Sequence, residues 1–121
     1  MPSRPRKAAP EQTALLTAAF PARLRAETTH IAEEICPSVM PGRRLSVIVQ
    51  DELLTLPYRV QHGGSDSLSS KLDQPQALIY ACIQSRHHDG HVRQRQIERL
   101  AAASEPWVVP FVVLLCSEYV V

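Results

Sequence analysis

The densest group of chemistry-bearing side chains in the chain is His87, His88, Asp89 and His91. Imidazoles and a carboxylate are metal-ligand types, and His87 and His91 stand four apart, a spacing that aligns two ligands on one helix face. Gly90 falls between them at an expected turn, and transition-metal sites take three or four converging ligands. The turn is therefore expected to hold no stoichiometric metal and to carry solvated imidazoles that titrate at about pH 6.5. Cys36 precedes Pro37, Cys82 falls on an apolar helix face, and Cys116 lies in an apolar segment. Buried cysteines in such places behave as small hydrophobes, and none has a neighbouring base to make it a nucleophile. No G-x-S-x-G motif is present. Gly63-Gly64 lacks both the spacing and the Lys-Ser/Thr pair of a phosphate-binding loop. The expectation is a chain with no catalytic residue, no cofactor and no metal.

The frame that would position these residues is small. The chain has 121 residues, 45% of them apolar and 21% charged, with a net charge of +1. That size fits one core, and that composition excludes wholesale disorder. The near-neutral charge gives no global footprint for nucleic acid or acidic membrane. Three cysteines are too few for a disulfide-stapled scaffold. No apolar stretch follows the basic first residues, and the apolar run 107–116 contains Pro110 and is too short to cross a bilayer. A cytoplasmic protein without a membrane segment is expected. The excess of Arg over Lys and the many Pro and Ala residues match a GC-rich, bacterial-type genome.

Residues 1–10, with Pro2, Pro5, Pro10, Arg4, Arg6 and Lys7, read as a disordered basic tail, and 11–121 as a single domain. Residues 11–36 read as two helices separated at Pro21, the second with the apolar stripe Leu24, Thr28, Ile31 and Ile35. The period then changes to two. Residues 43–60 alternate around Asp51-Glu52 and predict one β-hairpin, its second strand an edge because Pro57 cannot donate to a ladder. Residues 61–70 read as a loop. Asp73 stands three before Gln76, a capping-box spacing that starts a helix with Leu78, Ile79, Cys82 and Ile83 on one face. Asp89 caps an expected helix from Gly90 to about Ala103. The last segment, 107–121, reads as a helix apolar on nearly every side. The fold class is therefore α+β, mainly helical: N-terminal helices, one β-hairpin, and a C-terminal three-helix stack over 74–121.

Asp89, Val92-Arg93, Ile97 and Leu100 resemble the second helix of a HEAT-type repeat: an acidic turn, Val-Arg, then apolar residues five and eight after the Val. With the flanking helices the resemblance spans about residues 75–120, and it departs at Gln96, where such repeats favour a small apolar residue. No family is recognised for residues 1–74. The resemblance implies a HEAT-like stack with an interaction surface rather than a reaction. Trp107, Phe111, Tyr119, Arg93, Arg95 and Arg99 are the residues assigned to that surface. The favoured function is a non-catalytic protein–protein interaction or adaptor module.

Two alternatives use the same stretch. The helices around HHDG have helix-turn-helix lengths, and residues 90–103 carry Arg and Gln types that read base edges. On that reading nucleic acid is the partner, although the hairpin precedes the helix pair instead of following it as a wing. His88-Asp89 resembles the paired residues of HD-type phosphohydrolases, which would make residues 87–91 the centre of a metal-dependent hydrolase. That family also needs an upstream His, a place His30 could take, and a downstream Asp, and no Asp follows Asp89. The favoured partner is a protein, or a second copy of the chain forming a dimer, because a helix apolar all round must be covered on all sides.

Overall fold

The computed structural model describes residues 9–63, 68 and 70–119. In chain order the elements are α1 (Pro10–Thr17), a 3₁₀ turn (Ala22–Leu24), α2 (Arg25–Ile35), β1 (Ser38–Met40), β2 (Leu45–Val49), β3 (Glu52–Leu56), β4 (Arg59–Gln61), α3 (Gln74–Gln84), α4 (Gly90–Gln94), α5 (Gln96–Ala101), a second 3₁₀ turn (Pro106–Val108) and α6 (Val109–Tyr119). The fold is α+β and mainly helical. Most of the segment read as a basic tail, and part of the Gly/Ser loop, lie outside the described residues, as do Val120 and Val121.

Local chemistry accounts for most helix ends. Pro10 occupies the first helical position of α1, where its missing N–H is not needed. Pro21 separates α1 from α2, and the Ala22 N–H that opens the intervening turn donates to Glu52 Oε2 at 2.6 Å. α2 stops at Cys36, whose φ of 46° is left-handed, and Pro37 follows. Asp73 caps α3 through the expected box: Gln76 N donates to Asp73 Oδ1 at 2.9 Å and Asp73 N to Gln76 Oε1 at 3.4 Å. Asp89 caps α4 by accepting from His91 N at 2.9 Å.

The strands form more than the one hairpin read from the sequence. β2 and β3 pair antiparallel with Val49 opposite Glu52, so the turn is Gln50-Asp51, one residue earlier than expected. Both turn residues have positive φ, 49° and 65°, the backbone of a type I′ turn. This placement leaves Pro57 beyond the ladder, where its missing N–H costs nothing. β1 and β4 form a second short antiparallel pair, and Val60 of β4 makes a parallel bridge to His87. That bridge joins strand to helix stack: Val60 N donates to Arg86 O at 2.8 Å and His88 N to Val60 O at 3.2 Å. Gly42 lies between β1 and β2 at φ +157°, where an added Cβ would meet Tyr58 Cδ2 at 2.4 Å and Tyr58 Cβ at 2.9 Å. Gly42→Ala is expected to cost about 1–3 kcal/mol, the scale of local backbone strain. Urea unfolding would measure it, and an unchanged midpoint would refute it.

α3 runs through the core, packed against both α2 and α5. Tyr80, Ala81 and Gln84 are buried along with Ile79, Cys82 and Ile83, so the helix is enclosed beyond the single face its pattern announced. The helix expected over 90–103 is broken at Arg95 into α4 and α5. Gln96 is fully buried and its Nε2 donates to Val92 O at 3.1 Å. That carbonyl is the one its own backbone N–H would take in an unbroken helix, so the side chain competes with the ladder.

The C-terminal segment is also covered differently from the expectation. Trp107, Val108, Phe111 and Leu115 are buried, but Val109 is 57% and Val113 58% exposed. α6 thus buries one side against its own chain and leaves the other in water. Cys116, expected in an apolar interior, is exposed, while Cys82 is buried. Phe20 supplies the cover. Its ring stacks on Phe111 at 5.3 Å and meets Trp107 edge-on at 5.6 Å, joining the end of the first helical segment to the last.

Candidate functional site

The residues assigned to an interaction surface fall into different places. Trp107 and Phe111 are core residues, 2% and 1% exposed, because Phe20 and the inner face of α6 enclose them. They are not an exposed surface of this chain. Tyr119 ends α6, and its side chain lies outside the described residues. Arg95 is exposed at the break between α4 and α5, and Arg99 is exposed on α5. Arg93 is turned inward, with only 15% of its side chain exposed.

Arg93 enters a cluster assembled by four elements. Glu118, near the end of α6, is its centre. Arg86, just past α3, donates from Nη2 to Glu118 Oε1 at 2.8 Å and to Tyr58 O at 3.1 Å. Arg59 of β4 donates from Nη2 to Glu118 Oε2 and from Nη1 to Tyr58 O. Arg93 Nε of α4 lies 3.3 Å from Glu118 Oε2, while its Nη1 donates to His87 O at 2.8 Å and His88 O at 3.1 Å. Three guanidinium groups thus share one carboxylate. The Arg86 side chain is only 3% exposed, and its Nε and Nη1 are enclosed with no hydrogen-bond partner among the described residues. Burial holds the Arg86 pKa below the ordinary arginine value; Glu118 opposes that shift, and Arg59 and Arg93 add to it.

The pairing was not foreseen, and its signal was in the sequence. Glu118 is the lone charged residue in the apolar stretch 107–121. An acidic residue there needs a partner, because unpaired charges are almost never buried.

The histidines lie beside this cluster without converging as a metal site. His87 meets His62 edge-on at 4.5 Å and stacks on His88 at 4.5 Å. Both ring nitrogens of His87 are engaged: Nδ1 accepts from Asp89 N at 3.0 Å, and Nε2 lies 3.4 Å from His62 O. Neutral His87 with the proton on Nε2 satisfies both contacts. Burial lowers the His62 pKa to about 4, with repulsion from His87 and His88 adding to it. Burial likewise lowers the His87 pKa. Among the described residues no group of three His, Cys, Asp or Glu is placed to hold a metal ion, and His30 is exposed on α2.

A second feature lies elsewhere on the molecule. A groove of about 730 Å³ runs between the Ala22–Leu24 turn, the start of α3, the end of α5 and the Pro106–Val108 turn. Leu24, Leu78, Ala81 and Trp107 give it an apolar lining, and Arg99 stands on its wall. Arg23 pairs with Glu105 at 3.7 Å, both about half exposed. The groove's lining contains no histidine or cysteine. Among the described residues no helix is long and apolar enough to cross a membrane. The chain matches no protein-family model, no curated protein and no solved structure.

Proposed function

We propose that the chain is a non-catalytic interaction module whose groove receives an amphipathic helix of a partner protein. The observation that carries this reading is the groove of about 730 Å³, apolar in its lining and bordered by charge. Helix-in-groove recognition uses two or three apolar side chains at helical spacing. Leu24 and Leu78, both partly exposed, offer such side chains a surface, and burying them from water drives association. Arg99 is the exposed cation on the wall, whereas Arg23 and Glu105 pair with each other. An acidic residue beside the apolar face of the incoming helix would complement Arg99. The resemblance of residues 75–120 to a HEAT-like stack implies the same kind of role.

The single tryptophan of the chain lines this groove, so its fluorescence reports on occupancy. A random helical peptide library displayed against the full chain is expected to return sequences with apolar residues at i, i+3 and i+4 and an acidic flank. Leu78→Arg is expected to weaken the selected peptides by about tenfold or more, which corresponds to 1.4 kcal/mol or more. Arg99→Glu should weaken them less and make their binding less sensitive to salt. Failure to enrich any helical pattern, or binding indifferent to Leu78→Arg, would overturn the reading. So would peptides that were equally well replaced by small apolar carboxylates.

A further inference from the structure

We propose that the Arg59–Arg86–Arg93 cluster is an anion site for a phosphate monoester, and that Glu118 occupies it as a built-in stand-in. This inference is independent of the groove. It starts from what one carboxylate leaves undone. Glu118 Oε1 is taken by Arg86, and Oε2 is shared by Arg59 and Arg93. Among the described residues these are the ion pairs the three arginines make, and two positive charges remain uncompensated. Arg86 Nε and Nη1, enclosed within the protein, also have no acceptor among the described residues. A buried guanidinium N–H without a partner is a costly arrangement, and it points to a group that completes it.

The surplus has the charge and donor count of a phosphate. A phosphate monoester is a dianion near neutral pH with three acceptor oxygens, against one charge and two oxygens for a carboxylate. Arginine is the side chain suited to such an anion, because its planar fork donates two parallel hydrogen bonds. Three forks on one point are more than a single carboxylate needs.

Access is available from the Glu118 side. Arg59 and Arg93 side chains are each 15% exposed and Glu118 is 21% exposed, while Arg86 forms the buried floor. Glu118 lies in the last turn of α6, so its carboxylate can leave without unpacking Phe111 or Leu115, which anchor that helix further in. The incoming phosphate would take the places of Oε1 and Oε2 and give its third oxygen to Arg86. Tyr58 O and the carbonyls of His87 and His88, which now hold Arg59, Arg86 and Arg93 in place, would keep the guanidinium groups oriented.

The test titrates the full chain with inorganic phosphate and, in parallel, with glycerol phosphate, at constant ionic strength made up with chloride. Calorimetry and thermal unfolding are the readouts. Saturable phosphate binding is expected in the native chain. It should be about tenfold or more tighter in Glu118→Gln, where the internal competitor is gone, and about tenfold weaker in Arg59→Gln. Glu118→Gln is also expected to be the variant whose unfolding temperature phosphate raises most. A purely structural clasp predicts the same loss of stability in Glu118→Gln but no gain in phosphate affinity. Equal affinity of Glu118→Gln and the native chain, or no saturation in any variant, would overturn the proposal. If Glu118→Gln does not fold in the absence of phosphate, Arg59→Gln decides: unchanged phosphate binding in that variant overturns the proposal. Tighter binding of glycerol phosphate assigns the site to a monoester; equal binding overturns the monoester assignment in favour of the free ion.

Discussion

Phe111→Ala is expected to remove about 3–5 kcal/mol of stability, the scale for truncating a buried aromatic side chain. Phe111 is 1% exposed, stacks on Phe20, and lies on the inner face of α6 beside Leu115. Its ring is part of what fixes the last helix to the first helical segment. A domain of this size has a total stability of about 5–15 kcal/mol, so the variant should be close to unfolded at moderate temperature. Val113→Ala, two residues further along the same helix, is the contrast. Val113 is 58% exposed, and its truncation is expected to shift stability by no more than about 0.5 kcal/mol. Urea titrations followed by circular dichroism would measure both. If the two variants lost similar amounts, α6 would not be seated on Phe20 as described. If unfolding of the native chain depended on protein concentration, a second copy would be contributing to the cover of α6.

What was legible in the sequence was local. Asp73 and Gln76 sit three residues apart, and the capping box needs nothing beyond them. Asp89 declared its helix start in the same way. The alternation in 45–56 announced a hairpin because Leu54 and Leu56 need a buried face while Ile48 and Leu53 do not find one: they are 74% and 64% exposed as cross-strand partners. The β1–β4 pair escaped because Pro37 and Pro41 leave only three residues between them, too few to show an alternation. The break at Arg95 escaped because a periodic pattern does not reveal that Gln96 is buried and competes for Val92 O.

The candidate sites were the least legible part, for a related reason. Arg59 and Glu118 are 59 positions apart and Arg86 and Glu118 are 32 apart, so no short motif contains the cluster. Arg93 read as part of an interaction surface, and its inward turn depends on the carbonyls of His87 and His88 and on Glu118. Trp107 and Phe111 read as surface because their cover, Phe20, comes from the other end of the chain. The histidine turn was read as solvated, yet the bridge from β4 encloses His87, which is 7% exposed.

That enclosure has a consequence for acid stability. The native chain is expected to lose about 3 kcal/mol between about pH 6.5 and pH 4 through His62. His62 is held at about 4 in the folded protein, chiefly by burial, against an ordinary value of 6.5. Between those values the unfolded chain binds a proton at this position and the folded chain does not. Stability therefore rises with pH across that window, is fully present above it, and stops falling through this group below about pH 4. His87 contributes in the same direction, since burial lowers its pKa too. Protonating its Nδ1 would also abolish the hydrogen bond it accepts from Asp89 N at 3.0 Å. Because the two rings are in edge-to-face contact at 4.5 Å, the loss belongs to the pair rather than to either ring alone. Carboxylates titrate at the lower end of the window, so the comparison that isolates the histidines is the slope of the native chain against His62→Gln. Urea unfolding at pH 7.5 and pH 5 would supply it. The variant is expected to start less stable at pH 7.5, from lost packing against Tyr80, and to change much less on acidification. An identical pH slope in the two proteins would show that His62 takes up its proton as readily folded as unfolded, and that the ring is not enclosed beside His87.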